Sequence, residues 1–465
     1  VYILSLLSLY EFTQGFSLGI HIILATIGIG LPIIVATAEY LAYKKNDKYY
    51  RALAHRLSLI LVVLFAVGTA SGTLVALELA FLWPAFMRLV GYVAILPFFT
   101  EVFAFFTEVI FLSIYVYFGD KIKSEKLKIA SIIIVAFAAA LSGVLITMVN
   151  AWMNTPTGFN TALFISSGFK TIADVHPLTA FDTPSTGIEV FHVISTSILA
   201  GVSVFFSYFA YKLLKTKDND EREYYKRGLN ITFGIIAVII VFVIISGIMS
   251  ITTLMQYQTE KFDAIELDLI TRSDVPEIIF GTYSPLGHTV YNGTVVNGTV
   301  VGGIQIPGLQ SILAYGFGKS AQSIVIKGLN AYPKDTWPPL FIHTLFDMMV
   351  GIGFLLGGFI WLVMLIKLFI KKNFFENKAV LVLFVIIEAV VLITMESGWV
   401  VDEVGRVPWI VYDVMPISAA ANTSPSIAYF AAIIILIYIF IIPATAYVLK
   451  RLFDSRPLKG ELENA

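Results

Sequence analysis

Ionisable residues inside long apolar stretches are the part of this sequence that could do chemistry. A charge at membrane depth is costly and marks a functional candidate. His21, Glu101, Glu108, His192, His343 and Asp347 all lie in such stretches, and Met348 and Met349 follow directly on Asp347. Glu403 and Arg406 stand just past another, in Gly398-Trp399-Val400-Val401-Asp402-Glu403-Val404-Gly405-Arg406-Val407-Pro408-Trp409. Glu101 and Glu108 share one helix face, two turns apart. The chain has no cysteine. That removes disulfides, thiolate catalysis, iron–sulfur clusters and covalently attached haem, so any metal must be held by His, Met or carboxylate.

Each candidate also has a plain structural use. A lone membrane histidine often bridges helices by a hydrogen bond, and methionine on an apolar helix is usually packing. Glu101 and Glu108 would suit any proton or ion path, while Glu78 and Glu388 have no evident partner. Gly351-Ile352-Gly353 and Gly357-Gly358 superficially resemble a dinucleotide loop, but the spacing is wrong and no strand precedes them, so close helix packing explains them better. His, Met and Glu at one membrane level form a workable set of axial haem ligands. From the residues alone, a haem-bearing redox protein and an ion-coupled transporter both stand.

The elements that must position these groups follow from composition. The 465 residues are 58% hydrophobic and only 14% charged, with mean hydropathy +0.84; soluble domains carry about 25% charged residues. A net charge of −1 suggests no nucleic-acid partner. No signal peptide is expected, since Val1 to Leu7 lacks a basic lead and no cleavage site follows. Spans of about 20 apolar residues are predicted at 16–43, 57–82, 93–118, 127–149, 189–214, 229–250, 340–368, 379–397 and 425–449. Of the 31 Lys and Arg residues, 23 fall in one alternating set of connections and 8 in the other. The positive-inside rule then puts the N-terminus outside, the C-terminus in the cytoplasm and 398–409 outside.

Depth sorts the candidates. At 1.5 Å per residue, His21 lies about 8 Å in from the outer end, Glu101 about 13 Å and Glu108 about 24 Å. His192 is shallow, and His343, Asp347, Met348 and Met349 occupy the outer half of the seventh span. Two outer connections are long, 150–188 and 251–339, and the second exceeds what a connector needs. Its Glu260–Arg272 part reads as an amphipathic helix. Its Asn292-Gly293 and Asn297-Gly298 turns between β-formers predict a hairpin. Both Asn-Gly-Thr triplets also fit glycosylation acceptors, although turn chemistry accounts for the same residues.

Three motifs then carry a family resemblance. Gly398-Trp399 with Glu403-Val404-Gly405-Arg406-Val407-Pro408-Trp409 resembles the Gly-Arg-x-Pro-Trp region of subunit I of the cytochrome bd quinol oxidases. Met148-Val149-Asn150-Ala151-Trp152-Met153-Asn154-Thr155-Pro156-Thr157-Gly158 resembles the family's second signature. Gln258-Thr259-Glu260-Lys261-Phe262-Asp263-Ala264-Ile265-Glu266 resembles its quinol-binding segment.

The resemblance implies roles. His192 and Met349 would be axial ligands of a low-spin haem b. His21 and Glu403 would serve two high-spin haems, one b and one either d or b, with Glu101 a further metal-ligand candidate and Trp399 among the cofactor-binding residues. Glu101, Glu108 and Ser142 would handle protons, and Arg406 would pair with a haem propionate or with Glu403. Lys261 and Glu266 would bind quinol and take its proton. Two departures point to a divergent branch: Asp347 stands where a basic residue is usual, and Tyr10-Glu11-Phe12-Thr13-Gln14 replaces the usual lead-in of the first span.

The expected architecture is an all-α polytopic membrane protein with its nine transmembrane helices in bundles. Residues 1–250 form the first six spans, 251–339 the outer quinol loop and 340–465 the last three spans. The implied activity is quinol:oxygen oxidoreduction in the cell membrane. The implied partners are menaquinol or ubiquinol, O2, a second membrane subunit and a small accessory subunit. The rivals are a quinol oxidoreductase of the same fold with an altered acceptor, and a haem-free proton-coupled transporter.

Overall fold

The computed structural model describes residues 2–315, 324–370 and 374–464. Of the basic residues behind the expected orientation, Lys319, Lys371 and Lys372 lie outside them. Long apolar helices dominate: α1 (Tyr2–Lys45), α2 (Lys48–Leu82) and, after the short α3 (Pro84–Val93), α4 (Ile95–Phe118) and α5 (Glu125–Asn154). The short α6 (Thr161–Ser166) precedes α7 (Thr186–Lys215) and α8 (Asn219–Tyr257). A long loop holds α9 (Thr259–Glu266) and α10 (Leu309–Tyr315) before α11 (Ile342–Phe369) and α12 (Lys378–Val404). Then come α13 (Ile417–Ala420), α14 (Ile427–Ser455) and α15 (Leu458–Asn464). Among the described residues, nine of these helices are long and apolar enough to cross a membrane, in the order the hydropathy predicts.

The loop is not helical throughout, which corrects the all-α expectation. It carries β1 (Arg272–Ser273), β2 (Glu277–Ile279), β3 (Thr282–Tyr291), β4 (Thr294–Val301), β5 (Ile304–Ile306) and β6 (Val325–Ile326). β7 (Trp409–Val411) and β8 (Met415–Pro416) follow α12. They pair antiparallel as β1–β6, β2–β5, β3–β4 and β7–β8. The predicted hairpin is β3–β4, and Asn292-Gly293 is its turn, both residues at positive φ. Asn297-Gly298 is not a second turn. It sits inside β4 opposite a bulge at His288.

Polar caps set the helix starts at the basic ends. Asp47, Asp218 and Asn377 each accept a backbone N–H from the first turn of α2, α8 and α12. The main core joins α1, α2, α7, α8, α11 and α12, and a second cluster joins the start of α1 to α3 and β7–β8. α1 and α7 cross at Gly30 and Gly201, where a Cβ on Gly201 would collide with the Thr26 carbonyl. Only glycine permits that approach.

Three boundaries differ in ways that matter. α1 begins fourteen residues before the predicted span, at Tyr2. α4 begins at Ile95, so Glu101 and Glu108 lie about 9 and 20 Å from its start rather than 13 and 24 Å. α12 runs through Gly398 to Val404, so Trp399, Asp402 and Glu403 are helical and the connector shrinks to the residues after them. The helix continues because its polar end groups are paired by neighbouring segments, which hydropathy does not register.

Candidate functional site

Two histidines in the helical layer share one arrangement. His192 Nδ1, on α7, lies 2.9 Å from Ser246 Oγ on α8, and Ser246 donates its own proton to the Val243 carbonyl at 3.1 Å. A hydroxyl that has given its proton away must accept, so His192 carries its hydrogen on Nδ1 and presents the Nε2 lone pair. His21 Nδ1 on α1 also meets a serine, Ser71 Oγ of α2, at 2.9 Å, and the Tyr438 hydroxyl of α14 donates to the Ser71 carbonyl at 3.1 Å. Among the described hydrogen bonds neither Nε2 has a partner. This is how proteins orient ligating imidazoles.

Glycines make room beside the same groups. A Cβ on Gly398 of α12 would come 2.9 Å from Met349 Sδ of α11, one on Gly72 would come 3.0 Å from the His21 ring, and one on Gly247 would come 3.6 Å from that of His192. Gln14, Ser17 and His21 line one face of α1. Ser17 donates to the buried Glu78 of α2, the partner that the sequence left unnamed. Trp399 packs partly buried against the main core.

The expected proton residues are joined in part. Ser142 Oγ of α5 donates to Glu101 Oε1 at 2.6 Å, and Glu108 is buried a further two turns along α4. The stripe continues seven residues on to Tyr115, whose hydroxyl donates to Glu39 at 2.5 Å, and Glu39 also takes the Lys128 ammonium at 2.9 Å. The seven-residue spacing from Glu108 was the available signal for Tyr115.

The end of α12 gathers a connected set of polar side chains. Arg406 donates from Nη2 to Glu403 Oε2 at 2.5 Å, and from Nη1 to Asn150 Oδ1 at 2.9 Å and Asn154 Oδ1 at 2.7 Å. Asp402 accepts from Asn150 at 2.7 Å and from Lys261 Nζ at 2.6 Å. Asn154 also donates to Glu189 of α7 at 3.1 Å and accepts from Gln258 at 3.0 Å. The reading of the sequence gave Asp402, Glu189 and the two asparagines no role. Asn150 and Asn154 lie four apart on one face of α5, a spacing that could have flagged them.

On the loop side, α9 is buried on every face rather than amphipathic. Lys261 and Glu266 are 2% and 5% exposed, enclosed by the loop and α12. Burial, then the neighbouring acids led by Glu277, pushes the Glu266 carboxyl well above the usual range. Burial raises Asp263 to about 9, Asp268 to about 8 and Glu277 to about 7. His343 Nδ1 donates to the Ile265 carbonyl at 2.6 Å and its Nε2 lies 3.2 Å from Asp347, which also accepts the Phe280 N–H at 2.5 Å. Asp347 thus binds the loop to α11.

The profile of the cytochrome bd terminal oxidase subunit I family matches residues 9–457. The chain belongs to that family. It is 35% identical over 457 residues to a putative cytochrome bd menaquinol oxidase subunit I from Bacillus subtilis, covering 97% of each chain. A cytochrome bd ubiquinol oxidase subunit 1 from the same organism is 26% identical over 421 residues, 88% of this chain and 84% of that one. The bd oxidase structure from Geobacillus thermodenitrificans superposes with a TM-score of 0.86 at 35% identity, covering 97% of this chain and 99% of that chain. With nine apolar helices among the described residues, the chain is a multi-pass integral membrane protein. Membership implies haem cofactors, quinol, O2 and a second subunit.

The residues fit haem. Two imidazoles are held through Nδ1 by serine hydroxyls, a thioether is given room by a glycine, and several buried polar atoms of α1, α2, α12 and the segment just past it lack a protein partner among the described residues. Those are Arg406 Nε, Glu78 Oε1, Gln14 Nε2 and Glu396 Oε1. Glu396 of α12, whose other oxygen faces Gly19 of α1, was not singled out from the sequence.

Proposed function

We propose that the chain is the haem-bearing subunit of a membrane quinol:oxygen oxidoreductase, with the N-terminus and the α8–α11 loop outside and the C-terminus in the cytoplasm. The observation that carries it is the pair of histidines held through Nδ1 by serine hydroxyls, with no partner on Nε2 among the described hydrogen bonds. His192 and Met349 would hold a low-spin haem b. His21 and Glu403 would hold the high-spin pair, a haem b and a further haem of d or b type, with Glu101 close by and Trp399 beside them. When bound, these haems supply electron transfer and oxygen reduction.

The chain's own residues do the rest. Residues 1–250 and 340–465 carry the membrane helices and ligands, and the intervening loop carries the quinol site, centred on Lys261 and Glu266 of α9. Glu266, shielded from water, takes a quinol proton and releases it outside. Ser142 holds the Glu101 carboxyl at one rotamer, and Glu108 receives protons from the cytoplasmic side and hands them towards Glu101. Arg406 holds Glu403 in place with one face of its guanidinium and offers Nε to an anionic group. Protons taken up from one side and released on the other build a gradient without pumping. The menaquinol named for the relative at 35% identity favours that quinol over a ubiquinol type. The exposed apolar faces of α4 and α14 suit lipid, the second subunit and a small accessory subunit.

An optical spectrum with pyridine haemochrome analysis tests this. His192→Ala and Met349→Leu should each abolish the low-spin signal, and a purified protein without a Soret band would refute the haem-bearing role.

A further inference from the structure

Lys261 is a loop residue whose charged end is spent on α12. Its ammonium donates to the Asp402 carboxylate at 2.6 Å and to the Asp402 carbonyl at 2.9 Å, two of its three hydrogens on one residue. Its stem lies against Gly405, where a Cβ would come 2.9 Å from Lys261 Cε and 3.0 Å from Cγ. The glycine of the Gly-Arg pair therefore leaves the channel through which the lysine reaches α12. Asp402 is in turn fixed by Asn150 and Asn154, the two side chains that hold Arg406 against Glu403. Asn154 also accepts from Gln258, the residue that opens α9. One connected set of hydrogen bonds thus runs from the loop helix to the end of α12.

We propose that Asp402 is a positioning residue for quinol oxidation, anchoring Lys261 so that α9 is held against the Glu403–Arg406 pair. Lys261 then acts on quinol through where it holds α9, with its charge already answered by Asp402. This rests on the placement of the quinol site at α9. Removing one partner strands a buried charge, whereas neutralising both leaves two groups that still hydrogen bond.

The test uses the purified complete oxidase with Asp402→Asn, Lys261→Gln and the double variant. Three readouts are taken: hydrogen–deuterium exchange of residues 258–268, equilibrium redox titration of the haems, and KM and kcat for a soluble short-chain naphthoquinol. Each single variant should speed exchange and raise KM by about tenfold, the equivalent of one charge-assisted hydrogen bond. Each should also move a high-spin midpoint and spare the low-spin one. The double should return exchange and KM to within about threefold of the parent, well short of the product of the two single effects. Single variants too unstable to purify beside a double that assembles would be the same coupling read as yield. A double no better than Lys261→Gln would overturn the proposal, as would an Asp402→Asn oxidase with unchanged exchange. Faster exchange with unchanged KM would instead sink the placement of quinol at α9, and the proposal with it.

Discussion

Ser246 Oγ accepts the Nδ1–H of His192 because it has already donated its own proton to the Val243 carbonyl. That chain of two hydrogen bonds favours the tautomer with hydrogen on Nδ1 and leaves Nε2 without a partner among the described hydrogen bonds. Ser246→Ala should leave the low-spin haem bound but raise its midpoint, since the ligand loses electron density from a hydrogen bond to Nδ1–H. A bond worth about 1 kcal/mol corresponds to roughly 40 mV for one electron. Redox titration of the variant checks this, and an unmoved midpoint would remove Ser246 from the ligand's support.

Gly398 and Gly247 make a matched pair. Alanine at 398 brings a carbon 2.9 Å from Met349 Sδ, inside contact distance, whereas alanine at 247 reaches only 3.6 Å from His192. Gly398→Ala should therefore convert low-spin signal to high-spin or lose that haem, and Gly247→Ala should keep the parent spectrum. Both spectra unchanged would separate Met349 from the low-spin site.

Ser142 is the partner that orients Glu101. Ser142→Ala should lower kcat about tenfold with quinol KM unchanged, because a misoriented proton carrier affects turnover rather than quinol binding. Steady-state kinetics at saturating oxygen decide it, and a change confined to KM would place Ser142 elsewhere in the mechanism.

Asp263, 1% exposed on α9, should make the loop pH-sensitive. Its folded pKa, about 9, lies above the ordinary aspartate value, so the folded loop binds a proton that the opened loop releases. Protection is then full below about pH 4 and declines as pH rises towards 9, with a slope approaching about 1.4 kcal/mol per pH unit for one proton. Hydrogen exchange of residues 258–268 at pH 6 and pH 8 should show faster opening at the higher pH. Asp263→Asn should lessen that slope by one proton's share, the raised Glu266 and Asp268 carboxyls keeping the rest, and an equal slope in both proteins would acquit Asp263.

The order and number of apolar helices were legible in the sequence, because a span needs only sufficient apolar length. His21, His192, Met349, Glu101, Glu108 and Glu403 were legible as candidates because polar groups are rare in such segments. Asp402 was not. Its meaning depends on Lys261, 141 residues away, and on Asn150 and Asn154 of a different helix. Local composition contains no term for such a pairing. The same holds for the length of α12, which continues past its apolar part because those distant partners satisfy its polar end, and for α9, where burial on all faces replaced the amphipathic pattern. Sequence alone determined which chemistry was available and on which apolar helices its groups stand. Tertiary structure decided which side chain holds each histidine and which charge answers which, since both follow from hydrogen bonds made only when separate helices meet.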